Sequence, residues 1–124
     1  MQRKAQRRVL AIDVGGTHVK TRVSGQRETR EFESGPTMTP RKMVARVRQL
    51  TTDLKYDVVS IGYPGVVAHG KIVTEPYNLG RGWVGFDFRR AFGRPTQLMN
   101  DAAMQAIGSY EGGRMLFLGL GTGL

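Results

Sequence analysis

No cysteine occurs in the 124 residues, which excludes disulfides and thiolate metal sites and fits a cytoplasmic protein. Histidine is scarce too. His18 and His69 lie far apart with no carboxylate pattern between them, so a histidine-built metal centre is not expected. Long apolar runs are missing. None approaches the roughly 20 residues of a membrane span, and the run that follows the basic N-terminus is broken by Asp13, which argues against a signal peptide. Acidic residues are few, 10 against 19 lysines and arginines, for a net charge of +9. That balance suits polyanions such as nucleic acid, an anionic membrane or chains of phosphate, and equally a basic, well-solvated surface.

What is present suffices for one domain. Hydrophobic residues make up 40% of the chain, and a chain of this size buries roughly two-thirds of its unfolded surface. Residues 8–14 read as a buried strand, 19–24 and 28–34 as two further short strands, with Gly15-Gly16 and Gly25 between them. The three suggest an antiparallel meander. Thr39-Pro40 resembles an N-cap followed by proline at the first helical position. Met43, Val44, Val47, Leu50 and Leu54 recur at helical spacing, which predicts an amphipathic helix over 40–54. A buried strand over 58–63 follows, then a hairpin around His69-Gly70 and an ordered loop over 75–85. A short helix over 86–92, a strand over 96–99, a helix over 101–110 and a strand over 115–120 complete the chain. A meander followed by alternating helices and strands is an α/β pattern with a mixed sheet.

Several motifs bear on chemistry. Ile12-Asp13-Val14-Gly15-Gly16-Thr17-His18-Val19-Lys20 is either an ordinary tight turn or a phosphate-holding turn beside a metal-associated carboxylate. The stretch 65–72 approaches a P-loop, but Ile72 stands where a magnesium-reaching hydroxyl is needed and Pro76 forbids the helix. Gly119-Leu120-Gly121-Thr122-Gly123 is a poor dinucleotide fingerprint, yet a glycine turn of this kind offers bare N–H groups to a phosphate. Trp83, among glycines, is a core plug or a loop anchor. Asn100-Asp101 falls where a strand meets a helix. There Asp101 can cap the helix or serve as a general base at the ligand-binding end of an α/β sheet. Spacing alone leaves both readings open.

Six motifs in order resemble the N-terminal half of the ROK sugar kinases: 12–17, 61–65, 75–79, Gly82-Trp83, 100–102 and 119–123. Residues 75–88, 100–110 and 113–124 are most similar to the polyphosphate glucokinases. The resemblance implies an α/β, actin-like ATPase (ribonuclease H-like) lobe. It implies phosphoryl transfer from polyphosphate or ATP, with Mg2+, to the 6-hydroxyl of glucose. Asp101 would be the base. Gly65, Asn78 and Asn100 would hold the sugar together with Asp101. Gly15, Gly16, Thr17 and Lys20 would hold phosphate, Gly121, Thr122 and Gly123 would form a second phosphate turn, and Asp13 would sit near the metal. The implied organisation is a basic tail over 1–8, the N-terminal lobe over 9–114, and over 115–124 the first strand and phosphate turn of a second lobe. An unpaired apolar strand at 115–120 invites self-association, so a homo-oligomer through it is expected. The alternative is a non-catalytic lobe that binds sugar or phosphate and self-associates. A DNA-binding repressor of the same family needs a helix-turn-helix ahead of Asp13, and eight residues before the first strand leave no room for it, so neither nucleic acid nor a membrane is an expected partner.

Overall fold

The computed structural model describes residues 7–102 and 104. The chain runs β1 (Val9–Val14), β2 (His18–Val23), β3 (Arg30–Glu33), α1 (Pro40–Leu50), β4 (Val58–Tyr63), β5 (Val67–Ala68), β6 (Lys71–Ile72), α2 (Phe88–Phe92) and β7 (Thr96–Asn100). Five strands form one sheet in the order β3-β2-β1-β4-β7. The first three are antiparallel, and β4 and β7 run parallel to β1. This is the expected meander followed by a parallel half. The expected strand at 115–120, the turn at Gly121, Thr122 and Gly123, and most of the 101–110 helix lie outside the described residues. Asp101, Ala102 and Met104 are helical.

The period of two divides the sheet into faces. Leu10, Ile12 and Val14 of β1 join Val19 and Val23 of β2, Phe32 of β3 and Val59, Ile61 and Tyr63 of β4 in one core. Met43, Val44 and Val47 of α1, Phe88 and Phe92 of α2, and Ile72 and Leu79 join it. Trp83 is fully buried there, its ring 5.6 Å from that of Tyr63 and 6.0 Å from that of Phe88. It is thus a core plug, and its indole N–H also donates to the Met38 carbonyl at 3.3 Å, which anchors the loop. The opposite face carries Ala11, Asp13, Ser60, Gly62 and Met99, adjacent in register.

Helix α1 starts as the sequence predicts. The Thr39 hydroxyl accepts from the Lys42 N–H, and Pro40 opens the first turn. It ends four residues earlier than the periodicity suggests. Thr51, the C-cap, turns its hydroxyl back onto the Val47 carbonyl at 2.7 Å. Leu54 still packs against the core, but from the turn that follows. The shorter α2 begins after Asp87, whose carboxylate accepts from the Arg90 N–H, and ends at the left-handed Gly93. The β5–β6 hairpin turns at His69 and Gly70, both with positive φ, as a two-residue hairpin turn requires. Among the described residues no helix is long and apolar enough to cross a membrane.

Candidate active site

The C-terminal ends of β1, β4 and β7 lie side by side, and most of the motif residues gather there. The β1–β2 turn is tightly bound. Gly15 N–H donates to the His18 carbonyl at 2.9 Å. A Cβ on Gly15 would stand 2.9 Å from that same oxygen, so the glycine serves close backbone approach. Ser34 clamps the turn from β3's end: its N–H donates to the Thr17 carbonyl at 2.8 Å and its hydroxyl donates to the Gly15 carbonyl at 2.5 Å. The carbonyls are thereby occupied. Among the described residues no hydrogen bond engages the Gly16 or Thr17 N–H. Thr17 is exposed, and its hydroxyl lies 3.2 Å from Nδ1 of His18.

Gly16 brings the turn against the 75–85 loop. A Cβ on Gly16 would meet Cβ of Asn78 at 3.1 Å and its Nδ2 at 3.6 Å. The candidate phosphate turn and a candidate sugar ligand are therefore neighbours, although 61 residues of chain separate Gly16 from Asn78. The loop is held from three sides. Leu79 and Trp83 are buried, Gly80 N–H donates to the Met38 carbonyl at 2.9 Å, and the Glu75 carboxylate accepts from the N–H groups of Gly82, Trp83 and Val84. The loop begins where the Tyr63 hydroxyl donates to the Thr74 carbonyl at 2.7 Å. Burial, then the charge of Glu75, pushes that phenol up to about 12.

Asn100 and Asp101 divide the work differently from the simplest reading of the sequence. Asn100, the last residue of β7, accepts the Ala102 N–H on Oδ1 at 2.9 Å. It is the capping residue, and Asp101 is released from that duty. The Asn100 amide also donates to the Gly65 carbonyl at 2.6 Å, which ties the end of β4 to the start of the helix. Both functional atoms of Asn100 thus hold backbone, with one amide hydrogen left over. Gly65 contributes its carbonyl, and its lack of a side chain admits the Tyr63 ring, 2.7 Å from where a Cβ would stand.

Asp101 is half-buried, and among the described residues its carboxylate has no hydrogen-bond partner. Its Cα lies 3.5 Å from where a Gly62 Cβ would be, and Met104 Sδ occupies that space. Gly62 is in register with Asp13. A Cβ at 62 would displace the Met104 thioether and leave Asp101 Cα in ordinary van der Waals contact, so the helix start packs directly on Gly62, the residue in register with Asp13. Asp13 is half-buried and stands opposite Lys20 on β2, which is exposed and stands opposite Glu31 on β3. Among the described residues no group of three or more His, Cys, Asp or Glu side chains could hold a metal.

Asp13, Gly15, Gly16, Thr17, Gly65, Asn78, Asn100 and Asp101 thus come together at one end of the sheet, with Lys20 opposite Asp13 on the neighbouring strand. Ser34, Glu75 and Tyr63 hold the site and were not singled out from sequence. Only the glycine- and proline-rich context of Ser34 and Glu75 hinted at turns worth bracing. A cleft of about 470 Å³ lined by Arg48, Lys55, Tyr56, Asp57 and Arg94 among others opens at the opposite end, before β4 and β7, remote from these residues.

No curated protein sequence matches the chain. Solved structures do. A protein from Cytophaga hutchinsonii assigned as a sugar kinase is 26% identical, with a TM-score of 0.64 over 87% of this chain and 42% of its own. Lmo2764 from Listeria monocytogenes, assigned as an N-acetylmannosamine kinase, is 21% identical, with a TM-score of 0.68 over 94% of this chain and 41% of its own. A ROK hexokinase from Thermus thermophilus is 20% identical, with a TM-score of 0.62 over 83% of this chain and 38% of its own. The chain therefore spans about two-fifths of the length of these structures, and its mixed sheet is that of their actin-like ATPase fold. The family model described as ROK matches residues 9–124, nearly the whole sequence, and the chain belongs to the ROK family.

Proposed function

We propose that the chain forms the sugar- and phosphate-holding lobe of a glucokinase-type enzyme, which transfers a phosphoryl group from polyphosphate or ATP to the 6-hydroxyl of glucose. The observation that carries this reading is the division of labour at the end of β7. Asn100 caps the helix, so Asp101 is left half-buried at the strand ends near Gly62, the register partner of Asp13, with no side-chain hydrogen bond to maintain among the described residues.

In this reading Asp101 accepts the proton of the 6-hydroxyl as that oxygen bonds to phosphorus. The bond from phosphorus to the bridging oxygen breaks, and the leaving phosphate takes its electrons. Little covalent chemistry falls to the protein, so positioning and charge compensation dominate. Gly16 and Thr17 offer N–H groups to phosphate oxygens, and Lys20 supplies a positive charge nearby. Asn78 and the remaining amide hydrogen of Asn100 orient sugar hydroxyls, with the backbone at Gly65 closing the pocket. Magnesium, when bound, neutralises phosphate charge. Asp13 fits it, because magnesium is commonly held by one or two carboxylates, water and the substrate's own phosphates rather than by a protein cage. Gly121, Thr122 and Gly123 are assigned to the second phosphate turn.

The net charge of +9 favours a polyanionic donor. The hexokinase among the similar structures favours a hexose acceptor. The test is formation of glucose 6-phosphate by the purified protein with magnesium, polyphosphate and ATP being supplied in parallel. Turnover with either donor supports the reading and names the donor. Glucose or phosphate binding without turnover supports the alternative of a binding lobe. Absence of both refutes the assignment.

A further inference from the structure

The loop that carries Asn78 has no secondary structure of its own. One carboxylate does much of the work of shaping it. Oε1 of Glu75 accepts from Gly82 N–H at 3.0 Å and Trp83 N–H at 3.1 Å, and Oε2 accepts from Val84 N–H at 3.1 Å. Gly82 has a φ of +101°, a conformation few other residues adopt, which helps three consecutive N–H groups converge on one anion. The contact closes residues 75–84 into a ring. Within it Leu79 and Trp83 are buried, whereas Tyr77 and Asn78 are exposed. The buried pair fixes the second half of the ring. The first half, which includes Asn78, is fixed at its start by the Tyr63–Thr74 bond and by Glu75 itself.

We infer that Glu75 is the positioning residue for sugar recognition, a carboxylate latch that holds Asn78 against the Gly15–Gly16 turn. The inference rests on the assignment of Asn78 as a sugar ligand. It adds that affinity for the sugar depends on a residue that does not touch it. A neutral amide at 75 cannot reproduce the latch, because only one of its two terminal atoms accepts hydrogen bonds, and ionised acceptors hold N–H donors more strongly than neutral ones.

Protonation should act as the substitution does. Burial alone would raise the Glu75 pKa, but the N–H groups of Trp83, Val84 and Gly82 and the charge of Arg81 outweigh it, and the group stays below the ordinary carboxylate range. A depressed pKa means that the latch is closed above that range and opens as pH falls through the folded-state value. The groups facing it are Arg81 in the same loop and the Tyr63 hydroxyl from β4.

The experiment follows amide hydrogen exchange by NMR and, in parallel, glucose binding through the fluorescence of Trp83, the single tryptophan. Wild type and Glu75→Gln are compared across the acidic range. Expected for Glu75→Gln is loss of exchange protection at Gly82, Trp83 and Val84 with β1 amides unchanged. Glucose affinity should be weaker by about tenfold, the worth of roughly one charge-assisted hydrogen bond. Wild-type affinity should fall more steeply as pH drops than that of the variant. Unchanged protection and affinity in Glu75→Gln overturn the inference. If the variant fails to fold, the wild-type titration decides: the three amides must lose protection on acidification while β1 keeps its own. A wild type that binds no glucose refutes the sugar reading instead, and amide protection alone then judges the latch.

Discussion

Replacing Asn100 by alanine should separate two bonds that one side chain makes. The first is the helix cap, Oδ1 accepting from Ala102 N–H at 2.9 Å. Loss of such a cap costs about 1 kcal/mol. The second is the amide donating to the Gly65 carbonyl at 2.6 Å. A part-buried bond of this kind contributes about 1 kcal/mol net. Asn100→Ala should therefore destabilise the fold by about 2 kcal/mol, or about 10 °C in Tm for a domain of this size. Asn100→Ser keeps a cap acceptor and loses the amide donor to Gly65, so about half of the loss is expected. Urea unfolding followed by Trp83 fluorescence gives both values. A loss below about 0.5 kcal/mol for Asn100→Ala would show that the bonds are not formed in solution. Equal losses for the two variants would show that the cap contributes nothing and would return the capping role to Asp101.

Three further outcomes follow from the same geometry. Ser34→Ala removes the hydroxyl clamp on the Gly15 carbonyl and should cost about 1 kcal/mol, weakening phosphoryl-donor affinity while glucose affinity, measured by calorimetry, stays unchanged. Trp83→Ala empties a fully buried site between Tyr63 and Phe88 and should cost about 3–5 kcal/mol by chemical denaturation. Tyr63, held neutral by burial and by Glu75 with its pKa near 12, should add stability that is complete below the ordinary tyrosine pKa of about 10 and is lost as pH rises through the folded value. Alkaline unfolding of wild type against Tyr63→Phe checks this, and an identical pH dependence would contradict it.

Most of the scaffold was legible because local pattern and tertiary demand agree. The run at residues 9–12 is buried on both faces of the sheet, and an unbroken apolar strand is what such a position requires. Thr39-Pro40 starts α1 by chemistry that needs no distant partner. The end of α1 was not legible: Leu54 continues the helical spacing and does reach the core, but the chain arrives there through a turn that Thr51 initiates. The site was legible as a set of motifs and not as a set of bonds. Asn100 and Asp101 are equally good caps in sequence, and only the backbone at the end of β7 decides between them. Ser34 and Glu75 act through N–H and carbonyl groups that any residue could supply, so their partners leave no trace in the sequence. Gly16 and Asn78 become neighbours only once the loop closes.

The central claim is that Asp101 is the base that serves the sugar hydroxyl. The most direct measurement is the rate of glucose 6-phosphate formation by wild type and Asp101→Asn, with glucose affinity determined for both. The account predicts a fall in kcat of about a hundredfold or more, with glucose affinity kept within a few-fold because the cap on Asn100 and the Glu75 latch are untouched. An Asp101→Asn protein that turns over at the wild-type rate would contradict it.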